Sequence, residues 1–103
     1  MSSDDKDQDF FASPAFKPDV ALIQLKRFLR DQRQLAERGN AFTLKGLTVL
    51  ELSIDAATLT AKLAKRPLQR PEWDNKVCKN SAELRALQDE IKRRLARWTD
   101  EER

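Results

Sequence analysis

The chain has 103 residues, a formal charge of +3, 36% charged and 40% hydrophobic residues, no histidine, one cysteine and two glycines. Without histidine neither a Ser-His-Asp nor a Cys-His catalytic set can be assembled, and one cysteine cannot supply the ligands of a zinc site. The length fits one domain around one core, and apolar runs as short as Val20–Ile23 rule out a transmembrane helix.

Residues 1–18 show neither helical nor strand periodicity and read as an acidic, aromatic segment ahead of the domain. Within residues 1–10, Asp4, Asp5, Asp7 and Asp9 outweigh Lys6, which leaves +6 on the other 93 residues. The segment lacks the apolar stretch of a secretory signal, so a cytoplasmic location is expected, and Cys78 as a lone thiol fits a reducing compartment. A basic body with an acidic tail suits an anionic partner, and it serves solubility equally well.

Pro18 suits the first position of a helix, with Asp19 at the positive end of its dipole. Ala21, Leu22, Leu25, Phe28, Leu29, Leu35 and Ala36 then follow one helical face, predicting a helix over 19–38 with Gly39 as its C-terminal cap. The period next switches to two. Ala41–Leu44 and Leu47–Ile54 flank Lys45-Gly46, a tight hairpin turn, and Asp55-Ala56 turns the chain into a strand over 57–64. Leu50, Leu52 and Ile54 share one face of the middle strand. Strict alternation puts Leu47 and Val49 on the other, which then needs a cover: a second helix, the N-terminal segment or another subunit.

Residues 65–73 form a proline-rich loop, and Lys76–Lys79 add a short fourth strand. Asn80 with Glu83 has capping-box spacing, and Leu84, Leu87, Ile91, Leu95 and Trp98 define a second helix ending near residue 99. The expected fold is α+β, in the order α–β–β–β–(β)–α. It is a single domain over 19–99 with a polar tail at 100–103, and both helices lie on one face of a three- to four-stranded antiparallel sheet. That order is similar to the double-stranded-RNA-binding domain. The family holds phosphate with lysines at the start of its second helix, whereas this chain reads Ser81-Ala82-Glu83-Leu84 there, and Glu83 repels phosphate. Membership does not follow.

No constellation supports catalysis, and no cofactor or metal is expected. Asp89-Glu90 beside Lys92, Arg93 and Arg94 reads as surface ion pairing, and the three late arginines Arg93, Arg94 and Arg97 as complements of the helix dipole. Cys78, between Lys76 and Lys79, is either a reactive thiolate or, as the alternation favours, a small buried strand residue.

The expected function is therefore non-enzymatic binding of another protein. Its candidate contacts are Phe10, Phe11 and Phe16 of the N-terminal segment, and Leu68 and Trp73 of the proline-braced loop. Phe10, Phe11 and Phe16 equally suit folding back over the open sheet face. The alternative is nucleic-acid binding, with Lys62, Lys65, Arg66 and Arg70 on phosphates and Trp73 stacking a base, aided by a basic row Lys26, Arg30 and Arg33 on helix 1. A homodimer through the sheet edge or its second face is a further expectation, and no membrane partner is.

Overall fold

The computed structural model describes residues 16–101. They form helix α1 (Pro18–Arg30), strands β1 (Leu35–Arg38), β2 (Ala41–Leu44), β3 (Leu47–Ile54), β4 (Leu59–Ala64) and β5 (Trp73–Cys78), and helix α2 (Ser81–Glu101). The strands make one antiparallel sheet in the order β1-β2-β3-β4-β5, so each strand pairs with its chain neighbour.

α1 starts as its sequence dictates, with Pro18 in the first turn beside Asp19. It stops at Arg30, however, and does not run to residue 38. Leu35–Arg38 pairs instead with Leu44–Ala41 across a two-residue turn, Gly39-Asn40. Gly39 has φ +62°, the conformation expected of a glycine that opens a type II′ hairpin. Helical spacing placed Leu35 on the α1 stripe; pairing places it opposite Leu44, which is 2% exposed. The sheet thereby gains a fifth strand.

The Lys45-Gly46 turn has positive φ at both residues, +52° and +84°, as a type I′ hairpin requires. At the next turn the Asp55 carboxylate accepts hydrogen bonds from the amides of Ala57 and Thr58 and from the Thr58 hydroxyl. The three donors, the Ala57 amide foremost, hold its pKa below the ordinary value. β5 begins at Trp73, three residues before the strand expected there.

Between Phe42↔Leu50 and Thr43↔Thr48 the ladder slips by one residue, leaving Val49 as the extra residue of a β-bulge. The bulge resets the alternation. Leu47 pairs with Leu44 yet stays half-buried and outside the core cluster, lining a cleft with Glu51 and Trp73. Val49 is fully buried, and continuing the β3–β4 register sets it beside Ala64, which pairs with Trp73. Trp73 packs against the cluster that holds both.

Leu25 and Leu29 of α1, Phe42, Leu50, Leu59 and Leu63 of the sheet, and Ile91 and Trp98 of α2 are fully buried in one core. α1 packs on β1, β3 and β4 and on α2, while α2 packs on β5, so both helices cover the same face. The start of α2 is capped as its sequence suggests. Asn80 Oδ1 accepts the Glu83 amide at 2.8 Å, and Glu83 reaches back to the Lys79 amide at 2.7 Å.

Phe16 packs against the core at the starts of the two helices, beside Ala21 and Leu84. It does not cover the second sheet face. Phe10 and Phe11 lie outside the described residues.

Candidate functional site

With both helices on one face, the second face is built from the alternate side chains of the strands. Its rows are Glu51–Lys62–Asn75, Ser53–Thr60–Val77 and the apolar Ala64–Trp73, with Val49 next along β3 past the last β3–β4 pair. The 65–72 loop bounds the Trp73 end of this face. Gln69, Arg70 and Pro71 form one wall of an open cleft of ≈520 Å³, and Leu47, Thr48, Glu51 and Trp73 line the rest.

The loop is braced at three points. The Lys65 amide donates to the Glu72 carbonyl at 2.8 Å, extending the β4–β5 ladder by one pair. The Leu68 amide donates to the Arg66 carbonyl at 2.9 Å, closing a γ-turn centred on Pro67, whose ring fixes φ near the value that turn needs. From beneath, the Trp98 indole on α2 donates to the Lys65 carbonyl at 3.4 Å. The loop therefore presents its side chains from a fixed backbone, and Leu68 stands 53% exposed.

Charge around the loop separates into paired and unpaired groups. Arg94 of α2, 6% exposed, donates to Asp74 at 2.8 Å, to Glu90 at 2.7 Å and to the Ala64 carbonyl at 3.1 Å. The Arg94 hydrogen bonds hold Asp74 and Glu90 below the ordinary carboxylate range. Burial pulls the Arg94 pKa down, but its two carboxylate partners outweigh that and raise it. Lys65 is drawn to Asp74 at 3.4 Å. Lys62 Nζ lies 5.8 Å from the centre of the Trp73 ring, within cation–π range. Arg66 and Arg70 are exposed and form no ion pair among the described residues.

Lys62, Arg70 and Trp73 thus meet at or beside one cleft, and Lys65, Arg66, Leu68 and Arg70 line an adjoining hollow of ≈370 Å³ with Glu72. Phe16 belongs to a different region, at the helix starts. Of the basic row expected on the first helix, Arg33 lies beyond the end of α1, and Glu37 of β1 binds Arg30 at 2.7 Å and Lys26 at 3.7 Å. Cys78 is 2% exposed, and burial, aided by the charge of Glu83, pushes its thiol pKa up, away from a reactive thiolate.

Sequence reasoning took Arg94 for a surface residue, foreseeing its pairing with Glu90 but not its burial, and missed Asp74. A signal existed for the first: position 94 falls on the helical grid of Leu84, Leu87, Ile91, Leu95 and Trp98. An arginine on that grid points to a buried ion pair rather than to a dipole complement.

Comparison of the chain with protein-family models, with curated proteins and with solved structures gave no match.

Proposed function

We propose that the protein is a small non-enzymatic binding module that docks an acidic polypeptide segment, carrying one apolar anchor, on the 65–72 loop and the adjoining sheet face. The observation that carries this reading is the pairing of exposed Leu68 with Arg66 and Arg70, cations that no described carboxylate neutralises, on a backbone braced by Pro67. A fixed loop orders little on binding, and an apolar contact ringed by cations selects for acid around a hydrophobic residue. Lys62 extends the cationic rim towards Trp73. The setting of this reading is cytoplasmic, supported by a free, buried thiol.

Nucleic acid is the second reading, favoured by the same cations. Stacking is the weaker part of it. The Trp73 ring packs on the core and has Lys62 over it, so a base would have to displace that lysine.

The test is fluorescence anisotropy with a labelled Asp/Glu-rich peptide bearing a central leucine, its lysine-substituted counterpart, and single- and double-stranded oligonucleotides. The acidic peptide binds, and Leu68→Ala and Arg66→Glu/Arg70→Glu each weaken it. Oligonucleotide binding indifferent to Leu68→Ala, with a salt slope that drops by about one for each cation removed, establishes the second reading instead.

A further inference from the structure

We infer that β5 is a homodimer edge: two copies join antiparallel across β5 into one continuous sheet, with the two-fold axis at Asn75. β5 ends the sheet, and its ladder phase decides which of its backbone groups are free. The Lys65 amide bonds the Glu72 carbonyl within the β4–β5 register, so pairs at every second position from there, including Leu63↔Asp74 and Ala61↔Lys76, are the hydrogen-bonded ones. The amides and carbonyls of Trp73, Asn75 and Val77 therefore point away from β4, towards open edge. Val77 is 47% exposed there.

A second copy related by a two-fold axis can use those three residues in few registers, and the charges on β5 discriminate among them. With Asn75 opposite itself, Trp73 of one copy lies opposite Val77 of the other, an aromatic–β-branched pair. Asp74 lies opposite Lys76, an opposite-charge pair repeated twice by the symmetry. Moving the axis one residue either way sets Asp74 opposite Asp74 or Lys76 opposite Lys76. A lysine in the middle of an edge strand ordinarily blocks pairing. Here the Asn75-centred register converts it into a contact, because Asp74 is still 31% exposed beside Arg94 and Lys65. The inference shares only Trp73 with the docking surface, since Asn75, Lys76 and Val77 line neither hollow of the loop.

The full chain tests it by sedimentation equilibrium and directed cross-linking. The mass rises with concentration from 11.9 kDa to twice that value. Hydrogen-bonded antiparallel partners have Cα atoms about 5.5 Å apart, inside the disulfide range, so oxidised Asn75→Cys links two copies. Val77→Cys does not, because its own copy in the partner is displaced by four residues of strand. Lys76→Asp weakens the dimer about tenfold, two attractive cross-strand pairs becoming repulsive. All three positions are exposed, and thermal melts verify that the variants fold. A chain that stays at 11.9 kDa throughout overturns the inference and leaves the edge to an extended peptide of another protein. Cross-linking of Val77→Cys as readily as Asn75→Cys overturns it too.

Discussion

Arg94 of α2 donates to Asp74 of β5 across 2.8 Å, and the same guanidinium holds the Ala64 carbonyl of β4 at 3.1 Å. One side chain thus ties the second helix to both strands that carry the candidate loop. Asp74 in turn draws Lys65 at the loop's first position. The cations that follow, Arg66 and Arg70, are left facing solvent. Packing and the charge pattern of the proposed surface therefore have a common origin.

Arg94→Ala should cost about 2–3 kcal/mol of stability. That is less than a fully buried pair forfeits, because Glu90 and Asp74 keep partial access to water. Arg94→Lys should recover only part of the loss, since an ammonium cannot reproduce the fork that serves three acceptors. Urea midpoints of the two variants against the parent measure both.

Stability should fall on acidification. Asp74, Glu90, Glu37 and Asp55 all have folded pKa values below their ordinary ones. A carboxylate depressed in this way contributes stability that is fully present above its unfolded pKa and is lost as pH falls through the folded one. The decline therefore begins near the ordinary values, 4.5 for Glu and 3.8 for Asp, and continues below them. Arg94→Ala should flatten this slope by removing the main cause of two of the four shifts. Denaturant midpoints between neutral pH and about pH 3 record it.

Gly46→Ala should destabilise by about 1–2 kcal/mol through backbone strain alone. Gly46 sits at φ +84° with no atom within 4 Å of an added Cβ, so no clash contributes. Gly46→Asn should lose less, because asparagine tolerates the left-handed region better. Equilibrium unfolding of both variants separates conformation from crowding.

Strands β2 and β3 were legible residue for residue, because Lys45-Gly46 and Asp55 carry specific turn chemistry between alternating runs. Leu35–Arg38 was not. Leu35 and Ala36 fit a helical stripe by spacing, and Gly39 serves a helix cap as well as a hairpin turn; only pairing with β2 decides between them. β5 was found short because Asp74 and Asn75 lack apolar alternation, being an edge segment whose one inward carboxylate answers a buried arginine. The register shift at Val49 was not legible either: a bulge is a property of two paired strands, and one strand's alternation cannot reveal it. Of the candidate contacts, the loop set was brought together because its members are close in sequence. Phe16 was separated from them by the fold.

Pro67→Gly should weaken capture of the acidic peptide several-fold while changing stability by less than about 1 kcal/mol. The γ-turn would then have to be ordered at the moment of binding. Anisotropy titration beside a thermal melt distinguishes the two effects.

The most direct measurement of the docking surface is an amide chemical-shift titration of the full chain with the Asp/Glu-rich, leucine-bearing peptide. Shifts should centre on residues 65–73 and extend to Thr48, Glu51 and Lys62, where cleft and cation rim meet. An unchanged loop, or shifts confined to the helix layer around Phe16 and Leu84, would contradict the account.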